Sequence, residues 1–289
     1  MLPHQLIIEN AKNLTTIMII FGRNLILMSN EYKNYLKKIK RQKILVILCQ
    51  LLILFIAIII WEFAARKELI NTFIYSSPTK ILSTIINLHN TNNLYHHIWI
   101  TVYETLISFS LGTILGIIIA TIIWYSKFLY KVIDPYLTVI NSLPKVSLGP
   151  IIIIIFGANI KSIIIMALLI SVIITTINVY NGFNETDINK INLLKSFNAT
   201  KSQIFKYIIL PSSYSTIISS LKINVSMSLI GVIMGELLVS KQGIGYLIMY
   251  GSQVFNLNLV ISGVIILMIV SYLMYLIVNY IEKILIKKD

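Results

Sequence analysis

Apolar runs long enough to cross a bilayer recur along this chain of 289 residues, separated by basic or polar segments. A helix needs about 20 apolar residues to cross roughly 30 Å of hydrocarbon. Lipid offers no partner to a backbone amide, so only helices and closed barrels can span it. A barrel would alternate in segments of about ten residues, and no such alternation is visible. The fold class is therefore all-α, a polytopic membrane protein of about six transmembrane helices. The spans fall at about 44–63, 103–124, 137–156, 162–180, 217–238 and 258–280. Composition agrees: 12% of residues are charged, against about 25% in soluble domains.

Basic residues orient the chain, because cytoplasmic loops hold an excess of lysine and arginine. With the N-terminus inside, the cytoplasmic segments hold Lys33, Lys37, Lys38, Lys40, Arg41 and Lys43, then Lys127 and Lys131. They also hold Lys190, Lys195, Lys201 and Lys206, and at the end Lys283, Lys287 and Lys288. The opposite side holds Arg66, Lys67, Lys80, Lys161 and Lys241. Both termini are expected in the cytoplasm. The net charge of +13 then marks a membrane side and contact with lipid, and implies no nucleic-acid partner. Cys49 is the only cysteine, which excludes an intrachain disulfide and a multi-cysteine metal site. No histidine pairs with a carboxylate at ligand spacing, so no metal site is expected.

Residues 1–43 form an N-terminal cytoplasmic or interfacial segment ahead of the first transmembrane helix at 44–63. Its stretch "LTTIMIIFGRNLILM" is interrupted by Arg23. An interfacial helix is one reading, and a start at Met28 is the other. Residues 64–94 read as an external segment, with a turn at Ser77-Pro78 and then a helical pattern through Ile81, Ile85, Ile86 and Leu88. In "YHHIW", His96 and His97 read as part of an interfacial aromatic belt.

Within the spans, Ser108, Gly112, Gly116 and Ala120 lie four residues apart and make one flat face for close helix packing. Glu104 continues that stripe at the outer end, where its carboxylate is expected to reach water. Pro135, Pro144, Gly149 and Pro150 interrupt the third span. Prolines remove backbone donors and free carbonyls. Broken helices often line transport paths, so Pro144 is a candidate path residue. The other reading is a re-entrant stretch on the cytoplasmic side, with the true span starting near Val146 and Lys145 snorkelling to the interface. In the fifth span Asn224, Ser228, Gly231 and Gly235 share a face. Asn224, Ser228 and Glu236 are candidate path residues, and Glu236 could equally anchor a neighbouring loop. No P-loop and no hydrolase motif is present, so no catalytic residue is assigned. No two carboxylates are expected to face each other inside the membrane.

The loop 185–211 between the fourth and fifth spans is built differently. Asp187 can cap a first helix, on which Ile191, Leu194 and Phe197 give one apolar side. Asn198 sits where that helix would end, and asparagine tolerates the left-handed conformation found there. Thr200 and Gln203 form a capping box for a second helix. Pro211 precedes the next span, where its missing donor does least harm. Two short helices at a fixed bend make a rigid knob, suited to receiving force from a soluble partner.

This loop resembles the "EAA" loop of permease subunits of bacterial ABC importers, the type-1 permeases of the nitrate, sulfonate and taurine branch. The aligned residues are Asn192-Leu193-Leu194, then Asn198 at the family's glycine position, then Leu210-Pro211. "GELLVSKQGIGYLI" and "LPKVSLGPIIIIIFG" also resemble that branch. The chain departs from the family at the glutamate, both alanines and the glycine. The resemblance implies a type-1 transmembrane domain over 95–282 and a cell-membrane location. It implies a non-catalytic subunit, with ATP bound by a partner ABC ATPase and solute delivered by an extracytoplasmic binding protein. It also implies a homodimer around a central path. Coupling to the ATPase would involve Asn192, Leu194, Asn198, Ala199, Phe205 and Pro211. The implied solute is a nitrate-, sulfonate- or taurine-like anion, with a thiamine-pyrimidine or riboflavin precursor as the alternative. A channel or carrier independent of ATP is a reading of a different class.

Overall fold

A computed structural model describes residues 2–91 and 93–286, with side chains for residue 32, residues 34–91 and residues 93–286. The chain divides into two units, Met1–Leu69 and Ile70–Asp289. The first is one helix, α1 (Leu2–Arg66). Its part from Asn34 to Arg66 is long and apolar enough to cross a membrane. Ile53 and Phe55 on it are 68% and 64% exposed, which only a lipid solvent makes favourable.

The second unit runs through α2 (Thr72–Tyr75), α3 (Pro78–Asn90), α4 (Asn93–Tyr125) and α5 (Lys127–Ser142). A 3₁₀ turn (Lys145–Leu148) leads into α6 (Gly149–Phe156), followed by α7 (Ile160–Asn184), α8 (Ile188–Ser196) and α9 (Lys201–Ile204). A π turn (Phe205–Ile209) and α10 (Leu210–Ser212) lead into α11 (Tyr214–Val239), then α12 (Ile244–Gln253) and α13 (Leu257–Ile286). Among the described residues there is no strand, and five helices could cross a membrane, or six if the bent pair α5–α6 is one span.

Helices α4, α7 and α11 form the centre, because their small residues allow close approach. Lipid tails are as apolar as leucine, so helices associate in a membrane through packing rather than through escape from water. A Cβ on Gly112 would run into the Ser171 side chain, and one on Gly116 would meet the Thr175 side chain within 2.7 Å. Further along the same four-residue stripe of α7, Gly231 of α11 faces the backbone of Ala167, and Gly235 faces that of Ile163. The stripe Ser108, Gly112, Gly116, Ala120 is buried as expected, while Ile114, Ile118 and Ile122 on the opposite face of α4 are exposed.

Around this centre α13 packs on α11 and α12, with Val225, Ile244, Ile266 and Val270 in one apolar cluster. An ion pair ties the inner halves of α11 and α13: Lys222 Nζ meets Glu282 Oε2, and the Ser219 hydroxyl donates to Glu282 Oε1 at 3.1 Å. The chain turns sharply at the prolines of the third apolar stretch, a geometry common to a broken span and a re-entrant stretch. Helix α5 and the segment Lys145–Phe156 meet at 92°, with Pro144 exposed at the corner. At 1.5 Å per residue, neither limb alone reaches the roughly 30 Å of a hydrocarbon core.

Candidate functional site

The loop between α7 and α11 forms the expected knob. Asp187 accepts from the Asn189 amide at 2.9 Å and starts α8. At its end the amides of Asn198 and Ala199 donate to the carbonyls of Lys195 and Leu194 at 2.9 and 3.1 Å. Asn198 takes φ +57°, the left-handed bend foreseen for it. Thr200 and Gln203 complete the capping box, with the Thr200 amide donating to Gln203 Oε1 at 2.7 Å. The π turn then closes, with the Leu210 amide donating to the Phe205 carbonyl. This wider turn lies directly before Pro211, whose ring clashes with the preceding turn of a regular α-helix.

The knob is mounted stiffly on the bundle. Phe205 packs against Trp124, Tyr125 and Phe183, with ring centroids 5.0–5.4 Å apart. Lys201 Nζ donates to the Tyr125 carbonyl at 2.6 Å and lies 5.5 Å from the Trp124 ring centroid. Ile204 and Ile209 are buried in the same cluster, with Ile191, Leu194 and Ala199 packed against it. The Ser213 hydroxyl donates to the Gly182 carbonyl at 2.9 Å. Motion of the knob is thereby tied to the ends of α4 and α7.

The proposed coupling residues divide into two groups. Leu194, Ala199 and Phe205 face the bundle and serve as the mount. Asn192, Asn198 and Pro211 are exposed. The expectation that Phe197 shares the apolar side of Ile191 and Leu194 needs correction: Phe197 is 75% exposed. It is the C-cap residue, so its side chain leaves the helical register. Leu193 is also exposed, at 59%, and the two residues give the knob an apolar tip.

Asn224, Ser228 and Glu236 all lie buried on the α11 face toward α4 and α7. Asn224 Nδ2 donates to the Thr113 hydroxyl and, at 3.4 Å, to the Phe109 carbonyl. The Ser228 hydroxyl has no partner. At the end remote from the knob, Glu236 clamps the turn between α11 and α12. Its Oε2 accepts from the Gly245 amide at 2.6 Å, and its Oε1 accepts from the Thr101 hydroxyl at 2.6 Å. Thr101 in turn accepts from the Ile244 amide at 2.8 Å. His97 Nδ1 accepts from the Gly243 amide at 2.9 Å. Loop anchoring, one of the two readings for Glu236, is what these contacts perform.

Three expectations fail at this end. His97 is buried and bound to the turn, stacked on Tyr246 at 5.8 Å, so among the two histidines only His96 is placed as a belt residue would be. Glu104 is fully buried rather than water-exposed. Its carboxyl lies beside that of Glu236, so two carboxyl groups do face each other within the spans. The first follows from the turn 240–245, which folds back over the end of α4; the other two follow from the register between α4 and α11, and no local pattern encodes either.

Apolar spans packed through small residues, with a rigid capped knob at one end and a pinned turn at the other, define a multi-pass membrane transport subunit. The chain belongs to the family of binding-protein-dependent transport system inner membrane components, whose pattern matches residues 112–287. It is 27% identical over 232 residues to an aliphatic sulfonates transport permease protein of Bacillus subtilis, covering 80% of this chain and 84% of that one. It is 28% identical over 188 residues to the formylaminopyrimidine transport permease protein of Halalkalibacterium halodurans, covering 65% and 74%. The fold resembles that of the MetNI methionine ABC transporter in an inward-facing conformation, with TM-score 0.57 and 18% identity, over 65% of this chain and 94% of that one. The chain is thus a permease subunit of an ABC importer.

Proposed function

We propose that this subunit carries a small sulfonate-like anion into the cell as a homodimer in the cell membrane. In this reading an ABC ATPase docks on the 185–211 knob in the cytoplasm, and a binding protein delivers solute at the opposite face. ATP is bound and cleaved by the partner, and this chain holds no catalytic group. The observation that carries the reading is the mounting of the knob. A capped bend fixed to α4 and α7 through Phe205 and Lys201 transmits a push without absorbing it. Closure of the paired ATPases would draw the two knobs together and switch the access of the path, a rigid-body transition.

The exposed tip made by Leu193 and Phe197 is the apolar anchor that such docking needs, since buried aromatic and aliphatic anchors dominate interfaces. Phe197→Asp should leave the permease folded and abolish co-purification with the ATPase and solute-stimulated ATP hydrolysis. Full retention of both would overturn the docking assignment, and solute uptake without any ATPase would favour a channel or carrier. A pyrimidine precursor is the second solute reading, supported by the formylaminopyrimidine relative. Uptake assays with an alkanesulfonate and an aminopyrimidine in parallel separate the two.

A further inference from the structure

A cavity of about 600 Å³ lies between the knob and the end of the bundle that carries it, within the range of about 300–1,000 Å³ that small ligands occupy. Trp124 of α4, Lys127 of α5 and Tyr180 of α7 line its bundle side, and Thr186, Lys195 and Lys201 line its knob side. Among the described residues the ion pairs are Arg66–Glu62 and Lys222–Glu282, so none of these three lysines has an acidic partner. Lys201 is held by the Tyr125 carbonyl, which leaves its charge uncompensated. Glu185 and Asp187, the neighbours of Thr186 in sequence, are exposed and do not line the cavity. Thr186 Oγ1 is buried without a hydrogen-bond partner among the described residues, and a buried hydroxyl without one costs free energy. Three ammonium groups and a spare hydroxyl donor around one space suit an oxyanion, which accepts from all of them.

We propose that this cavity binds the phosphate headgroup of an anionic phospholipid. Much of the remaining wall is apolar, Phe183 and Ile191 included. Trp124 and Tyr125 end a helix long enough to cross a membrane, and aromatic residues gather at headgroup depth. A soluble oxyanion would leave that apolar wall uncovered, whereas a phospholipid covers it with the start of its acyl chains. Basic pockets between transmembrane helices on the cytoplasmic side take such headgroups, and the lysine bias assigns the knob to that side. The consequence for transport rests on the importer reading above: a headgroup held between Lys127 of the bundle and Lys195 of α8 braces the knob, so anionic lipid strengthens coupling to the ATPase.

The test uses the full chain in phosphatidylcholine nanodiscs with Trp61→Phe and Trp99→Phe, which leave Trp124 as the only tryptophan. The readout is quenching of Trp124 fluorescence by lipid brominated in its upper acyl chain. Brominated phosphatidylglycerol should quench saturably, at a mole fraction roughly tenfold or more below that needed by brominated phosphatidylcholine, the scale expected of two lysines near a headgroup. Lys127→Gln with Lys195→Gln should erase that preference, and Lys127→Arg with Lys195→Arg should keep it. Equal quenching by the two lipids overturns the proposal, as does an unchanged preference in the glutamine pair or its loss in the arginine pair. Both lysines are exposed, so the pairs should fold. If the glutamine pair does not, Lys195→Gln alone decides: a weakened preference supports the site, and an unaltered one overturns it. Inorganic phosphate, added at constant ionic strength, should leave the preference in place. If it abolishes the preference, the occupant is a free oxyanion and the lipid assignment is overturned. In the reconstituted complex, solute-stimulated ATP hydrolysis should rise severalfold when phosphatidylglycerol replaces part of the phosphatidylcholine, and the glutamine pair should lose that rise. Absence of a rise overturns the bracing role. Failure to couple with any ATPase would reject the importer reading without altering the quenching titrations.

Discussion

At Gly243 the backbone takes φ +102°, a region that side chains enter only with strain. The Glu236 carboxyl also fills the space that a Cβ would need. Gly157 has a similar angle, φ +82°, but a Cβ there would meet only the end of the Asn159 side chain at 3.1 Å. Gly157 and Gly243 both have ψ near extended, 167° and 170°, a combination nearly confined to glycine, so both changes to alanine carry a strain of about 1–3 kcal/mol. Gly243→Ala must in addition push Glu236 off the Gly245 amide. Gly243→Ala is therefore expected to lower the unfolding midpoint clearly more than Gly157→Ala, and equal shifts would contradict the clamp. At the other end, Asn198 at φ +57° makes the opposite comparison. Asn198→Gly should be close to neutral in stability. Asn198→Val, β-branched, should cost about 1–2 kcal/mol and reduce coupling to the ATPase. Chemical denaturation and solute-stimulated ATP hydrolysis read the two effects separately. The bend was legible in the sequence because a helix end is a local event: asparagine, a capping threonine and a glutamine three residues on. The Glu104–Glu236 pairing was not, since it depends on the register between α4 and α11, which no residue on either helix states alone.

At the scale of elements, small residues decide which helices touch. The α4–α7 contact depends on Gly112 and Gly116, whose missing side chains are replaced by Ser171 and Thr175. Overpacking a close contact forces backbone shifts and costs typically 1–3 kcal/mol. Gly112→Leu should exceed that range, because Ser171 already lies against the glycine and has no room to retreat on a helix held by α11. Size-exclusion chromatography and thermal unfolding should show a destabilised or aggregated protein. Ile118→Leu, on the exposed face of the same helix, should change neither. The stripe was legible because its four-residue spacing lies within one helix. Its partner was not, and neither was the Lys222–Glu282 ion pair between α11 and α13, whose members stand 60 positions apart in the chain. The knob lies between these cases. Its caps and bend followed from sequence, but Phe197 was misplaced because helical periodicity was carried one residue past the point where α8 stops.

At the scale of the whole molecule, the knob and the carboxyl clamp must lie on opposite sides of the membrane. Helix α7 runs 25 residues and α11 runs 26, about 38 Å at 1.5 Å per residue, more than the roughly 30 Å of a hydrocarbon core. The knob leads from the end of one to the start of the other, and the clamped turn follows the far end of α11. An importer needs the knob inside, and the knob end holds Lys190, Lys195, Lys201 and Lys206 beside Lys127 and Lys131, the bias that marks cytoplasm. The only native cysteine, Cys49, makes a clean labelling background in Cys49→Ser. On it, Ser202→Cys and Gln242→Cys place one thiol at each end, both at exposed positions. A membrane-impermeant maleimide added to intact cells should label Gln242→Cys at once and Ser202→Cys only after permeabilisation. The reverse pattern would put the knob outside, where no ATPase could reach it, and would overturn both the orientation and the coupling role derived from it.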